Sequence, residues 1–374
     1  MAAANDTPIA KPPVTGLWGG ILTATPIVLT VLATILAGLS NSEMTQAQYH
    51  RSLAAQYQSK VGDQWAFFQA KRIRGAGLET AAEHLPPVGP LDPARLKALA
   101  HRVTLAVDQI GKATHQPEDV AKRIAKEMSE SESALNQELD KPAVAHAFSY
   151  LATAKLPEVE DHAVKDPALD EAIAAISERK SDDEINKLVA KVPDKLLVSA
   201  MDNAEKNAQA FDDAAKPIGK TIDQVGALVN HHTVLAETFL GDINSEQATT
   251  NANDAKEREA AAGAEVQVSR AVEKLHGSFA AARDRFNANR YRRDADYNQR
   301  IAYLHEVQVH KSSVSADRHR DRSMHFFFGM LGAQAGVAIS SIALAAKLRS
   351  VLWSLAGILG LAALAFSCYV YLFY

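Results

Sequence analysis

A single cysteine, Cys368, stands in a chain of 374 residues, so neither an intrachain disulfide nor a thiolate metal cluster is open to it. Aromatic residues make up only 6 %. No stretch alternates apolar and polar residues cleanly enough for a half-buried strand. The formal net charge of −4 lacks the basic footprint of a nucleic-acid binder. Proline disappears part-way along: all 14 fall at or before Pro217. A proline inside a helix costs about 3 kcal/mol, so the run from Ile218 to Tyr374 permits very long helices. What the chain does have is abundant alanine and three long apolar runs, which together predict an all-α membrane protein.

The three runs are residues 16–39 ("GLWGGILTATPIVLTVLATILAGL"), 326–346 and 351–374. Each is uncharged and long enough to span about 30 Å of hydrocarbon. Pro26 is tolerable in the first as a kink. That run is too long for a secretory signal peptide, and no A-x-A site follows it. Only "KLRS" separates the last two, which must form a tight antiparallel hairpin. Trp18, Trp353, Tyr369, Tyr371 and Tyr374 sit near span ends, as an interfacial aromatic belt would. With no Asp, Glu, Lys or Arg inside a span, a proton relay or an ion-coupled transporter is disfavoured. Outside the spans, Arg51, Lys311, Arg318, Arg320 and Arg322 flank the long middle region, against Lys11, Lys347 and Arg349 on the other side. That bias points to a cytoplasmic soluble domain.

Small residues mark packing faces on the spans. Gly332, Gly336 and Ser340 recur every fourth position on the second; Ala356, Gly360, Ala363 and Ser367 step by four and three on the third. Such rows let helix backbones approach closely, either between spans two and three or across a dimer. Gln334, near mid-membrane, reads as interhelical glue rather than part of a conduction path.

Between the spans, helix start signals repeat. Asp92-Pro93, Gln116-Pro117 and Asp166-Pro167 each place a polar cap before a first-turn proline. Ser181 with Glu184 is a capping box. The pattern predicts helices near 92–114, 117–139, 142–155, 166–180, 181–192, 193–215 and 217–242. The expected organisation is a tail (1–15), a first span (16–39), an ascending stalk helix (40–85), an all-helical head (86–244), a descending stalk helix (245–325) and two further spans (326–346, 351–374). Ser40 with Glu43 offers a joint at the membrane surface, and Gly75-Ala76-Gly77 a soft joint ending the ascending helix.

Both stalk helices carry an apolar stripe. On the descending one Val268, Val272, Leu275, Phe279, Ala282 and Phe286 form a coiled-coil seam; Asn289 and Arg293 interrupt it; Tyr297, Ile301 and Leu304 resume it. On the ascending one the stripe is Leu53, Tyr57, Val61, Trp65 and Phe68. Trp65 lies 26 residues beyond Leu39, and Ile301 lies 25 before Phe326. At 1.5 Å rise per residue both stand roughly 38 Å from the membrane. Antiparallel helices meet at equal height, so Trp65 and Phe68 are expected to pack on Tyr297, Ile301 and Leu304. Lys71, Arg72 and Arg74 fall level with Asp294 and Asp296, and Asp63 with Arg300.

Charge is uneven along the chain. Residues 118–213 hold 22 acidic and 12 basic side chains; residues 270–322 hold 12 basic and 7 acidic ones. Cations near the membrane suit an anionic leaflet. The acidic head suits a basic partner or simple solubility. His305, His310, His319 and His325 cluster near the second span, but they occupy different helix faces and lack H-E-x-x-H or paired E-x-x-H spacing. "GKT" at 219–221 lacks the upstream glycine and strand of a phosphate loop. No catalytic, cofactor or metal constellation stands out.

Two blocks, "DQWAFFQAKRIR" (63–74) after a span ending in "LSNSE", and "YNQRIAYLHEVQVHKSSVSADRHRDRSMHFFFGMLGAQAGVAISS" (297–341), resemble an uncharacterised bacterial inner-membrane family defined as a domain of unknown function. The likeness covers residues 16–80 and 285–374, while the central two hundred residues look different from a usual member. The resemblance implies a multi-pass location in a bacterial inner membrane with one span, a helical soluble part and a terminal pair of spans. It carries over no activity and no site residues. The expectation is a non-enzymatic scaffold or protein-interaction platform, working with membrane lipid and with a second copy or another protein, without nucleic acid, cofactor or small-molecule substrate. The alternative is an oligomeric channel or transport accessory subunit.

Overall fold

The computed structural model describes residues 17–85, 90–113, 118–249, 255–346 and 349–373. Among these, every regular element is an α-helix: α1 (Leu17–Glu83), α2 (Pro93–Ala113), α3 (Glu118–Leu139), α4 (Pro142–Thr153), α5 (Pro167–Ser177), α6 (Asp182–Val189), α7 (Asp194–Thr249), α8 (Ala255–Ala345) and α9 (Arg349–Phe373). The chain falls into two compact units. One comprises Met1–Ser59, Ala168–Val192 and His305–Tyr374; the other Lys60–Pro167 and Pro193–Leu304.

The first unit holds the apolar parts of α1, α8 and α9, three helices long and apolar enough to cross a membrane. Their buried rows share one rhythm. Leu29, Ala33, Leu36 and Ser40 face inward on α1; Phe326, Gly329, Ala333, Gly336, Ser340 and Ala343 on α8; Ala356, Gly360, Ala363, Ser367 and Val370 on α9. Steps of three and four average 3.5 residues, the repeat of left-handed knobs-into-holes packing. A strict step of four would drift off that face. Gly332 therefore sits at the margin, half-buried, while Gly329 and Ala333 join Gly336 and Ser340 in the inner row.

The same unit contains α5 and α6, expected as part of one continuous head. They bury Leu169, Ala172, Ile176, Ile185 and Val189. Ser181 caps α6, its Oγ accepting the Glu184 amide at 3.4 Å. Two polar ties fasten this segment to α8: His310 Nδ1 meets Asn186 Oδ1 at 3.2 Å, and Lys311 Nζ donates to the Val192 carbonyl.

The second unit joins α2, α3, α4 and α7 with residues 60–83 of α1 and the portion of α8 up to Leu304. Asp92 caps α2, its Oδ1 accepting the Arg95 amide at 2.6 Å. A core of Leu96, Val103, Met128, Phe148, Val225 and Phe279 lies between these helices. Gly226 lets α7 approach α8 closely, since a Cβ there would come within 3.0 Å of the Phe279 ring. Gln116-Pro117, Trp18, Lys347 and Tyr374, each singled out in the sequence, fall outside the described side chains.

Three expected helix breaks do not occur. α7 runs through Pro217 because its buried row, Phe211, Ala215, Ile218, Ile222, Val225 and Val229, continues without a gap. Pro217 faces outward, so the carbonyl it leaves unpaired can be served by solvent. α1 passes through Ser40–Glu43 and through Gly75–Gly77 and ends at Glu83. At both places the residues read as joints serve cross-helix contact instead.

Candidate functional site: the α1–α8 seam and the packed spans

In the second unit, α1 and α8 meet through aromatic and charged side chains. Trp65 stands edge-on to Phe68, with ring centroids 5.3 Å apart, and edge-on to Tyr303 at 5.2 Å. Val61, Phe68, Ile301 and Leu304 are buried. The indole's ring partner across the seam is thus Tyr303, two residues from the Ile301 that the height count gave. Tyr297 turns elsewhere and packs on Phe211 of α7 at 5.6 Å. Burial first, then the nearby Asp161, Asp294 and Asp296, push its phenol above the usual range, against the opposing effect of Arg293.

Charge pairs fix the register. Lys71 Nζ lies 2.6 Å from Asp294 Oδ2 and 5.5 Å from the centre of the Tyr291 ring. Arg72 sits over Phe68 at 5.7 Å, and Arg292 meets Glu79 at 2.7 Å. Gly75 is needed where the backbones draw together: a Cβ there would lie 3.3 Å from the Ala288 carbonyl oxygen. Arg300, expected opposite Asp63, donates instead to the Val164 carbonyl at 3.3 Å. An open groove of ≈ 380 Å³ runs beside this seam, lined by Phe68, Arg72, Glu79, Arg292 and Asp296 among others. Its cations and carboxylates are interleaved, so it presents no single sign of charge to a ligand.

The polar interruption in the α8 seam has a local cause. Asn289 Nδ2 donates to the Ala154 carbonyl at 2.8 Å, and Arg290 pairs with Asp212 at 3.2 Å. Ala154 ends α4 with φ of 50°. The Asn289 amide therefore ties a left-handed turn to α8 where a coiled-coil knob would otherwise stand.

In the first unit, polar contacts gather just beyond the apolar runs. Ser40 Oγ donates to the Ser323 carbonyl at 3.0 Å, and Ser323 Oγ donates to the Ser40 carbonyl at 2.8 Å. Glu43 Oε2 lies 2.6 Å from His319 Nδ1, His319 stacks on His50 at 5.4 Å, and Tyr57 stacks on His305 at 6.0 Å. His325 meets Phe366 of α9 at 5.7 Å. These histidines thus have separate partners, and among the described residues no group of three or more His, Cys, Asp or Glu is placed to hold a metal ion.

Among the spans, Gly336 would place a Cβ 3.3 Å from the Ala356 carbonyl oxygen and 3.1 Å from Leu29, and Gly332 one 3.5 Å from Ala363. A Cβ on Gly360 would collide with Leu29. Ser340 and Ala356 are buried here too. The small residues of the second and third spans thus receive Leu29 of the first as well as each other. Trp353 Nε1 donates to Thr25 Oγ1 at 2.9 Å, tying α9 to α1 near its start.

In sequence His231-His232 is an unspecific pair, because adjacent helical residues diverge by about 100°; the structural role of His232 does not show there. The residue interrupts the buried row of α7 at Val229, His232 and Ala236, a spacing that was legible. Fully buried, its ring faces Ser131 Oγ and the Ala100 carbonyl, both at 3.2 Å, and Thr104 Oγ1 at 3.5 Å. Burial lowers its pKa, outweighing the Ala100 hydrogen bond and the Glu132 charge. The histidine is a neutral polar clasp among α2, α3 and α7.

The model of a family described as a domain of unknown function (DUF4337) covers residues 18–224. The "DQWAFFQAKRIR" block lies inside that match; the 297–341 block lies beyond it. The match also takes in most of the central region that had looked foreign to such a family. No curated protein and no solved structure matches the chain. Because the match spans more than half of the 374 residues, with nearly all of the first apolar run and α2 to α6 inside it, the chain belongs to the DUF4337 family of unknown function.

Proposed function

We propose that this protein is a membrane-anchored interaction platform: its three apolar helices hold it in a bacterial inner membrane, and its helical extramembrane part, on the cytoplasmic side, docks a partner protein. The reading assigns it no reaction of its own. The observation that carries it is the pair Phe67 and Ile73 on α1, 56 % and 72 % exposed. Both lie outside the apolar runs, on a helix whose inner face is already occupied by α8. Two large apolar side chains this open, beside Arg72 and Arg74, form the kind of amphipathic anchor that protein interfaces use. The excess of acidic over basic residues between 118 and 213 adds a preference for a basic partner surface. The five flanking cations on the long-loop side support the cytoplasmic assignment.

The test is in-cell photocrosslinking from position 70, on the same helix between the two anchors, in the full chain. One defined adduct is expected, lost in Phe67→Ala with Ile73→Ser. An adduct pattern unchanged by that double variant, or none at all, overturns the reading. A reporter fused after Tyr374 that reads as periplasmic overturns the orientation.

A further inference from the structure

Several hydroxyls in the apolar segments are satisfied within their own helices. Thr30 donates to the Pro26 carbonyl at 2.7 Å, Thr34 to Thr30 at 2.9 Å, and Ser341 to Val337 at 2.8 Å. This back-bonding lets a hydroxyl face lipid at little cost. Gln334 differs. It sits near the middle of the α8 apolar segment, its side chain is exposed, and its carboxamide has no hydrogen-bond partner among the described residues. An amide has two donors and a two-lone-pair acceptor. In hydrocarbon no water serves them, so the group calls for a partner from another helix. Within the chain, the inner face of α8 is filled by Gly329, Ala333, Gly336 and Ser340, and Gln334 points away from them.

Gln334 also belongs to a row of its own. Phe327, Leu331, Gln334, Ala338 and Ser341 are all exposed and step by four, three, four and three. That is the same 3.5-residue rhythm as the buried row, on the other side of the helix. The side chains beyond Gln334 are small, which admits a close helix.

We infer that this outer row is the interface with a second copy of the chain, closed by Gln334 against Gln334. Two copies inserted in the same sense are related by a two-fold axis along the membrane normal. Under that symmetry a residue on the axis meets itself. Self-pairing requires a group that both donates and accepts, which a carboxamide does and a carboxylate or ammonium does not. A single polar residue left without a partner in such a 3.5-residue row, the Ser341 hydroxyl being taken up by the Val337 carbonyl, also fixes register and copy number. The inference uses the apolar helices and not the extramembrane partner, so either proposal stands if the other fails.

The experiment is cysteine crosslinking and dilution-dependent energy transfer on the full chain in lipid vesicles, with Cys368 replaced by Ser. Gln334→Cys is expected to give an oxidative dimer. Leu361→Cys, exposed on α9, is expected to give none. In the energy-transfer assay Gln334→Leu should weaken association about tenfold, the effect typical of losing an interhelical hydrogen bond, while Gln334→Asn should keep most of it. Gln334 faces away from the packed interior, so the leucine variant should fold as the parent does. Equal crosslinking at both positions, no crosslink at 334, or association unchanged in Gln334→Leu each overturns the inference. So does a crosslink from 334 that joins only a different protein when the experiment is repeated in native membranes.

Discussion

Acidification should loosen the α2–α3–α7 contact through His232. The imidazole is fully buried, and burial lowers its pKa from the ordinary value of 6.5. In the unfolded chain it titrates near 6.5, so below that pH the unfolded state binds the extra proton and the folded state resists it. Stability is therefore complete above pH 6.5 and falls as pH drops from 6.5 toward the lower folded value. One group of this kind contributes at most about 1.4 kcal/mol per pH unit, or about 1 kcal/mol between pH 6.5 and 5.5. Two other groups near the ring belong in the reckoning. Glu132 favours the proton, and its own partner is His101 at 3.0 Å; His231 disfavours it. The assay is amide hydrogen exchange of the full chain in detergent, read on α2, α3 and residues 225–240 of α7. Opening free energy there should fall from pH 6.5 to 5.5, by up to about 1 kcal/mol, after correction for intrinsic exchange. His232→Gln keeps polar reach without the titration and should remove that slope. If His232→Gln keeps the full pH slope, the buried histidine is not its source and the reasoning fails.

Two further outcomes test the packing. Lys71→Met strands the Asp294 carboxylate, which is 8 % exposed, and should cost about 1–3 kcal/mol in thermal or denaturant unfolding; adding Asp294→Leu should recover part of it, and strictly additive losses would mean the pair does not fix this seam. Gly360→Val drives a side chain into Leu29 and should destabilise the apolar helices by about 1–3 kcal/mol, with Leu29→Ala relieving part of the loss; a neutral Gly360→Val would mean α1 does not pack there.

Much of the architecture was legible because it rests on run length and period. Three apolar runs of about twenty residues, caps at Asp92 and Ser181, and apolar residues at helical spacing are local signals, and each yields a helix near its expected place. The errors came where a local signal competes with packing. Pro217 is a helix breaker by propensity, yet it lies on the outer face of a helix whose inner face is continuously filled. Ser40 and Gly75 have the composition of a cap and a hinge, yet each sits where a neighbouring helix approaches. Which polar residue serves the backbone and which serves another helix depends on contacts more than two hundred positions away. The height count placed Trp65 within two residues of its ring partner because helical rise is fixed. It could not choose between Ile301 and Tyr303, since that depends on rotation about the helix axis. The contacts of residues 168–192 with α8 include two polar side chains, His310 and Lys311, which composition does not distinguish from solvated ones.

The reciprocal serine pair has a mechanical consequence. Each hydroxyl of Ser40 and Ser323 is held by the other residue's carbonyl, in a buried spot. Sliding α1 along α8 by one turn, about 5.4 Å, would break both of these bonds at once and part Glu43 from His319. The pair therefore works as a detent. Piston strokes along these two helices are opposed by the simultaneous loss of all three contacts.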